Sequence, residues 1–304
     1  MTREVGPHGW LVIDKAPGMT SNRVVETIRG CTGVKVGHGG TLDPLATGVL
    51  PIAIGEATKT TAYAMAGVKR YRFRIRWGVG RATDDREGEI TAESYLRPSR
   101  EAIEAMLPRF IGSIEQRPPA YSAIKINGRR AYALARKAQP PIPAARMVEV
   151  SALRLIGMPD RDHADCEALV GKGTYIRALA RDLGAALGTC AHLAELRRLS
   201  VGRFTESLAI TLDSLAEHGH IDETYESLLP IETALADLPA VVLTASGAAR
   251  LRSGRRIMTD AEISGADSDR PHQGAIVSAW HGGAVIALAR IEEDHLRAVR
   301  VFNR

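Results

Sequence analysis

The stretch KRYRFRIRW, residues 69–77, alternates strictly between arginine and an apolar or aromatic residue from position 70 onward. Successive side chains of a β-strand point to opposite faces, so this alternation predicts a strand over 69–78 with Tyr71, Phe73, Ile75 and Trp77 on one face. The four arginines then share the other face. A helix would scatter both sets around its axis, so we expect a sheet at the centre of the fold.

The segments on either side of this strand predict a mixture of strands and helices with no regular strand–helix–strand rhythm. Further strands are predicted at 9–14, 49–54, 146–156, 163–170 and near 201–204. Helices are predicted at 21–30 with Ser21 as N-cap, 56–64, 99–108, 129–137, from 174 onward and 191–196, with a loop at 33–47. This order indicates an α+β fold rather than a doubly wound sheet, followed by a β-rich module from residue 241.

Charge is distributed unevenly along the 304 residues. The chain carries 40 Lys+Arg and 35 Asp+Glu, a net charge of +5. Residues 117–147 contain seven basic residues and no acidic one, whereas residues 203–237 contain eight acidic residues and only Arg203 as a base. A basic surface of this kind suits a polyanion such as RNA or DNA, although a solvated basic face that only aids solubility would have the same composition.

Several classes of protein are disfavoured by what the sequence lacks. Charge-free windows are too short for a bilayer span, and no apolar signal region follows the N-terminus, so we expect a cytoplasmic protein. The three cysteines are far apart, and neither a complete P-loop, a dinucleotide-binding glycine motif nor a metal-ligand spacing occurs. We therefore expect chemistry without a metal or nucleotide cofactor.

The densest group of chemically useful residues is GHGGTLDPLATGVL, residues 37–50. Asp43 could be a catalytic carboxylate, but an Asp-Pro pair is also an ordinary turn former, and His38 could simply bind the main chain of a loop. Arg177 falls in the first turn of a predicted helix, where the dipole disfavours a cation, so we expect a buried carboxylate or a phosphate to hold it. Tyr71 could belong to the core. The residues alone leave these alternatives open.

Taken together, six segments resemble one known family, the bacterial tRNA pseudouridine-55 synthases of the TruB type. The segments occur in the family's order across residues 9–204, and the Gly-Thr-Leu-Asp-Pro and Tyr-Ser-Ala-Ile-Lys elements are highly specific. The C-terminal stretches VVLTASGAARLRSGRRI and IALARIEEDHLRAVRVF resemble an RNA-binding PUA module more weakly. The six segments are GWLVIDKAPGMTS (9–21), GHGGTLDPLATGVLPIAIGEATK (37–59), KRYRFRIRWG (69–78), QRPPAYSAIKINGRRAYALAR (116–136), GTYIRALARDLG (173–184) and AHLAELRRLSVGRF (191–204).

The resemblance implies a fold and a domain organisation. We expect a mixed, mainly antiparallel central sheet of the pseudouridine synthase type, flanked by helices, in a catalytic domain at 1–237. Within that domain, 117–147 is expected to be a basic insertion that grips RNA, and 203–237 an acidic connector. Residues 238–304 are expected to form a small β-rich PUA-like RNA-binding domain.

The resemblance also implies roles for seven residues. Asp43 falls on the catalytic aspartate, Tyr71 on the tyrosine that stacks on the target uracil, and Arg177 on the arginine paired with the aspartate. Four further positions match substrate-binding residues: His38, which assists base extrusion, Leu196 on the floor of the pocket, and Lys15 and Tyr175 at its edge.

The implied activity is isomerisation of uridine to pseudouridine at position 55 in the T-loop of tRNA, after base flipping and without a cofactor. The implied partner is the T-arm of tRNA, with no membrane partner, and the enzyme is expected to be a monomer. Three alternatives stay open at this point: a non-catalytic RNA-binding or chaperone protein, an aspartate-dependent nucleosidase, and a related synthase that modifies other uridines.

Overall fold

The helices and strands come from a computed structural model that describes residues 6–122, 125–126, 129–130, 142–217, 227–258, 263–266 and 272–303. The helices are α1 Ser21–Thr32, α2 Thr61–Ala66, α3 Arg100–Met106, α4 Ile176–Ala186, α5 Leu212–Glu217 and α6 Ala245–Arg252, with 3₁₀ turns at Gly55–Thr60, Leu107–Phe110, Glu206–Leu208 and Ile231–Leu235. The strands up to residue 205 are β1 Gly9–Lys15, β2 Val36–His38, β3 Thr47–Ile54, β4 Lys69–Trp77, β5 Val79–Arg81, β6 Ile90–Glu93, β7 Gly112–Gln116, β8 Lys125–Ile126, β9 Arg129–Arg130, β10 Arg146–Asp160, β11 His163–Val170, β12 Ala191–Val201 and β13 Phe204–Thr205. The later strands are β14 Ala240–Leu243, β15 Ile257–Met258, β16 Ile263–Ala266, β17 Ile276–His281, β18 Ala284–Glu292 and β19 His295–Val301.

A nine-stranded sheet organises the larger part of the molecule. Its strands follow the order β1-β3-β12-β4-β11-β10-β7, with β2 paired to β3 and β13 paired to β12. The pairing of β12 with β3 is parallel, whereas β4 pairs in antiparallel fashion with both β12 and β11. The expected mixed, mainly antiparallel sheet is therefore confirmed.

Strand β4 lies at the centre of this sheet with the two faces that its sequence predicts. Phe73, Ile75 and Trp77 are buried in the main hydrophobic core, and Tyr71 packs against that core from a half-buried position. The four arginines of the opposite face form ion pairs with carboxylates, mostly on the neighbouring strand β11: Arg70 and Arg72 with Glu167, Arg74 with Asp165, and Arg76 with Asp162 in the turn before it. Because each positive charge is paired with a carboxylate, four arginines can lie side by side on the outer face of the sheet.

Four local predictions were wrong. The predicted loop at 33–47 contains strand β2, because Val36–His38 pairs with β3, and the strand predicted near 201–204 is the tight turn between β12 and β13. Residues 191–196, predicted as a helix, form the first half of strand β12, because their main chain pairs with β4 from Ala191 to Leu196. The N-cap of α1 is Thr20, whose side chain accepts a hydrogen bond from the Arg23 backbone N–H, and Ser21 is the first helical residue. The predicted helix at 129–137 lies largely outside the described residues, and its first two residues belong to β9.

A second sheet of six strands follows the first, in the order β15-β19-β18-β17-β14-β16. It does not stand apart from the first, because Val285, Leu288 and Phe302 share a hydrophobic cluster with Trp10 and Phe204 of the first part of the chain. The 3₁₀ turn Ile231–Leu235 contributes two more buried side chains to this cluster. The C-terminal sheet is thus packed firmly on the back of strands β1 and β3.

Candidate active site

The turn that carries Asp43 is held by buried side chains on both sides. The Ser21 hydroxyl accepts from the Leu42 backbone N–H at 2.8 Å and lies 3.0 Å from the Leu42 carbonyl, to which it donates. The Ala46 N–H donates to the Asp43 carbonyl at 3.0 Å, which closes the turn that the Asp-Pro pair indicates. The Asp43 carboxylate projects from this turn and is about one-third exposed.

Arg177, in the first turn of α4, connects this carboxylate to a second one. Its Nε lies 3.0 Å from Oδ2 of Asp43, and its Nη1 lies 3.4 Å from Oδ2 of Asp85. The guanidinium also donates to the carbonyls of Thr83 at 2.9 Å and Tyr121 at 3.0 Å. Of the two partners that the sequence left open for this arginine, carboxylate and phosphate, the structure places carboxylates beside it. They offset the unfavourable position of a cation at the positive end of a helix.

A cleft of about 770 Å³ opens in front of Asp43 and Arg177. Tyr71, Tyr175 and Leu196 also line it, so five of the seven residues singled out from the sequence share one cavity. Leu196 is a buried residue of the cleft wall. The Arg146 guanidinium lies over the Tyr175 ring, 5.5 Å from the ring centre. A carboxylate, an aromatic ring and an apolar floor are thus combined in a space large enough for a nucleotide.

The other two singled-out residues, Lys15 and His38, do not line the cleft. Lys15 is fully buried beneath the Asp43 turn, and its ammonium donates to the carbonyls of Ala16 at 2.9 Å, Met19 at 2.7 Å and Pro44 at 3.2 Å. Burial lowers the pKa of Lys15 to about 8, although the nearby Asp43 carboxylate acts to raise it. This placement favours a role in holding the turn over direct contact with a substrate.

His38 ends strand β2 and is half-buried. Its Nδ1 accepts a hydrogen bond from the Gly40 backbone N–H at 3.4 Å. Burial, and after it the charge of Arg198, lowers the pKa of His38, so its ring is neutral at neutral pH. The contact with Gly40 matches the simpler alternative in which this histidine binds the main chain of its own loop.

Arg198 is a residue of the candidate site that the sequence analysis missed. It lines the cleft two residues after Leu196, and its buried guanidinium donates to the carbonyls of Gly40 at 2.8 Å, Thr41 at 3.3 Å and Val49 at 2.7 Å. It therefore holds the main chain on both sides of Asp43. Gly48, with φ of +95°, pairs with Arg198 so closely that a Cβ would overlap the Arg198 carbonyl.

Asp85 was also missed. It is buried, and its Oδ1 accepts from the Thr83 hydroxyl at 2.5 Å and from the Glu87 N–H at 3.0 Å. Nothing in RATDDREGE distinguishes this acid from its neighbours, because a run of charges in a loop usually indicates a solvated surface. Arg198, in contrast, lies in the segment AHLAELRRLSVGRF, and the resemblance of that segment to the family could have identified it as a site residue.

Positive charge predominates around the cleft. Its lining includes Lys69, Arg146, Lys172 and Arg198 besides Arg177, with Asp43 as the carboxylate among them. Burial, and then repulsion from Arg198 and Lys172, lowers the pKa of Lys69 to about 8. A cleft with this balance suits a ligand that brings its own negative charge, such as the phosphate backbone of a nucleic acid.

Within the described ranges, no group of three or more His, Cys, Asp or Glu side chains is placed to hold a metal ion. The same part of the chain contains no helix that combines the length and the hydropathy of a membrane span.

Family models match most of the chain. A model described as TruB family pseudouridylate synthase (N-terminal domain) matches residues 28–176, and one described as tRNA pseudouridylate synthase B C-terminal domain matches residues 177–236. The chain is similar to the tRNA pseudouridine synthase B of Rhodospirillum rubrum, with 49% identity over 97% of this chain and 96% of the relative. It is also 49% identical to the protein of the same name from Bradyrhizobium diazoefficiens, over 97% of this chain and 86% of the relative.

The fold is similar to that of chains in solved protein and ribonucleoprotein complexes. An H/ACA ribonucleoprotein bound to a substrate RNA containing 2′-deoxyuridine aligns with a TM-score of 0.76 and 25% identity, over 97% of this chain and 85% of that chain. A Cbf5–Nop10–Gar1 complex aligns with a TM-score of 0.73 and 28% identity, over 97% and 84%. With family models along residues 28–236 and close relatives along almost its whole length, the chain belongs to the TruB family and is a pseudouridine synthase.

Proposed function

We propose that this enzyme converts uridine 55 in the T-loop of tRNA to pseudouridine, with the uridine swung out of the loop into the cleft. The names of its relatives support tRNA as the substrate. The observation that carries the proposal is the 3.0 Å contact between Arg177 Nε and Asp43 Oδ2, in a cleft that also presents Tyr71. A base that is paired or stacked in RNA has to leave its stack to reach such a site.

Asp43 has the position and partners that this chemistry requires. The bond between N1 of uracil and C1′ of the ribose breaks, the base turns, and a new bond joins C5 to C1′. A carboxylate can capture or stabilise the electron-poor sugar formed in between, as carboxylates do in glycoside hydrolysis. Arg177 keeps the carboxylate oriented through its charge, and its own second partner, Asp85, keeps the guanidinium in place.

The aromatic and apolar walls would hold the loosened uracil. Tyr71 offers a ring on which the base can stack, which is worth about 1–3 kcal/mol per base and offsets part of the flipping cost. Its hydroxyl is a candidate acceptor for the proton that leaves C5 after the new bond forms, while N1 regains a proton. Because the product has the same atoms as the substrate, the reaction consumes no cofactor.

The rest of the molecule would position the RNA. Residues 117–147 carry seven basic residues, and Arg117 and Arg146 lie at the two ends of that segment. We propose that this segment and the PUA-like domain at 238–304 bind phosphates and thereby position the T-arm. We expect the enzyme to act as a monomer in the cytoplasm, where the thiols of Cys31, Cys166 and Cys190 stay reduced.

A T-arm transcript labelled with tritium at C5 of its uridines tests this function. Release of tritium, together with pseudouridine at position 55 alone, is the expected result. Free uracil would indicate a nucleosidase, and binding without either product would indicate an RNA-binding protein. Pseudouridine at other positions would contradict the assignment to position 55 but not the reaction.

The substitution Asp43→Asn tests the role of the carboxylate. We expect turnover to fall by at least about 10³-fold, because the amide cannot act as a nucleophile or carry the negative charge. Binding of tRNA, measured by filter retention, is expected to stay within a few-fold of the original value, since phosphate contacts dominate affinity. Substantial product formation by this variant would show that another residue carries the reaction.

A further inference from the structure

A buried glutamine connects strand β7 to the start of helix α4. Gln116 is the last residue of β7, where it pairs with Arg146 of β10, and its side chain is almost completely buried. The Tyr175 backbone N–H donates to its Oε1 at 2.8 Å, and its Nε2 donates to the Tyr175 carbonyl at 3.2 Å. The side-chain amide of Gln116 is thus hydrogen-bonded to both the N–H and the carbonyl of Tyr175.

Tyr175 is the point at which the chain enters α4. It is the N-cap residue, in an extended conformation, and its own side chain makes no capping hydrogen bond. Its carbonyl also accepts the first helical hydrogen bond, from the Leu179 N–H at 3.1 Å. With no side-chain cap, the two bonds from Gln116 hold the main chain of the N-cap residue itself, while Arg146 and the Thr174 hydroxyl hold the two residues before it.

The start of this helix places two side chains of the active site. The Tyr175 ring lines the cleft, and Arg177, two residues further on, contacts Asp43 at 3.0 Å. A shift of the helix start would move the guanidinium relative to the carboxylate, and misplacements of about 1 Å can cost about 10²-fold in rate. Gln116 itself does not line the cleft and touches no reacting group.

We propose that Gln116 is a positioning residue of this synthase, which sets Tyr175 and Arg177 through its paired hydrogen bonds to the Tyr175 main chain. This inference depends on the reaction of the family and not on which uridine is modified. Only a side chain that both donates and accepts at this position can satisfy the Tyr175 N–H and carbonyl together. Glutamine does so at every pH, whereas glutamic acid does so only when it is protonated.

The variant Gln116→Glu tests this requirement, with Gln116→Met as the variant that loses both bonds. At about pH 8 the introduced carboxylate would face the Tyr175 carbonyl without a proton to donate, and we expect kcat to fall about 10- to 100-fold with KM within a few-fold. As the pH falls towards about 5.5 the buried carboxyl gains a proton, since burial raises carboxyl pKa values, and kcat relative to the original enzyme is expected to recover. Gln116→Met is expected to stay low throughout.

Two controls isolate the effect. Asn22→Asp makes the corresponding amide-to-carboxylate change at an exposed residue of α1 and is expected to follow the original enzyme at every pH. Arg146 is the strand partner of Gln116, and Arg181 donates to the carbonyl of the adjacent Arg117 and pairs with Asp84, whose pKa burial raises. Dividing by the original enzyme's profile removes the contribution of these and other groups. Hydrogen exchange of the peptide spanning 173–180 gives a readout without turnover, and faster exchange is expected in Gln116→Met.

Either of two results would overturn the proposal. One is an unchanged kcat in both Gln116 variants at about pH 8. The other is a deficit in Gln116→Glu that equals that of Gln116→Met at every pH, because the number of hydrogen bonds to Tyr175 would then be irrelevant to the rate.

Discussion

Arg198, like Lys15, is a cation that is buried without an ion-pair partner among the described residues. A buried charge that is not compensated by a carboxylate is costly, and here three main-chain carbonyls compensate it instead. Two of those carbonyls precede Asp43 and one follows it, so the residue fixes the turn that carries the carboxylate. The neighbouring Arg197, by contrast, is partly exposed and pairs with Asp14 and Glu206.

The pair of adjacent arginines allows a matched test. Arg198→Met is expected to lower kcat by about 10²-fold while tRNA affinity changes little, because the freed turn no longer holds Asp43 in the productive position. Arg198→Lys should retain part of the activity, since it keeps the charge and one or two of the hydrogen bonds. Arg197→Met is expected to leave kcat nearly unchanged. Equal losses from the substitutions at 197 and 198 would contradict this role.

The residues of the site differ in how far the sequence could predict them. Asp43, Tyr71 and Arg177 were each ambiguous alone, and the match of whole segments to a family made them candidates. The two carboxylate partners of Arg177 agree with the simple expectation from the helix dipole. Asp85 could not be found, because its importance comes from burial beside Arg177, and burial depends on contacts between residues 92 positions apart.

Among the elements, β4 and β12 show where local sequence patterns succeed and fail. The strict alternation of β4 specifies a strand with two unlike faces, and that is what the structure contains. The segment 191–196 has residues with good helix propensity, such as Ala191, Leu193 and Glu195. It is nevertheless a strand, because it pairs in antiparallel fashion with β4 on both sides of a bulge between Leu193 and Glu195. Long-range pairing of this kind cannot be read from propensity within six residues.

The arginine face of β4 leads to a prediction about stability. Glu167 is buried among Arg70, Arg72 and Arg154, and although burial acts to raise its pKa, the hydrogen bonds from Arg70 and Arg154 keep that pKa below the usual value. Glu167→Gln is expected to lower the free energy of unfolding by about 1–3 kcal/mol, because three arginines lose their shared carboxylate. Urea denaturation measures this change.

The same face supplies the control for that experiment. Glu195 is mostly exposed and contacts Arg74 at 3.2 Å, so Glu195→Gln is expected to change stability by less than about 0.5 kcal/mol. Pseudouridine formation at 25 °C by Glu167→Gln should remain close to that of the original enzyme, since Glu167 projects from the opposite face of the sheet to Tyr71. A large loss of tRNA binding in this variant would instead show that the arginine face contacts the RNA.

At the scale of the whole molecule, the two sheets share one hydrophobic cluster. Besides the apolar side chains, the Lys59 ammonium donates to the Val301 carbonyl at 2.8 Å, and the Asn303 N–H donates to the Glu56 carboxylate at 2.7 Å. The sequence predicted a separate β-rich module but held no sign of this contact, because its residues are spread from position 10 to position 302. The contact keeps the C-terminal sheet at a fixed position relative to the cleft.

The shared cluster predicts that both parts of the molecule unfold together. Phe302 is buried against side chains of the first part of the chain, so Phe302→Ala is expected to cost about 3–5 kcal/mol and to lower the midpoint of a single calorimetric transition. Tyr95→Ala removes a fully exposed aromatic ring and is expected to leave that midpoint almost unchanged. If Phe302→Ala instead produced a separate low-temperature transition with the main transition unmoved, the C-terminal sheet would be an independent unit. In that case its position relative to the cleft would vary, and the module could not hold the tRNA at a fixed distance from Asp43.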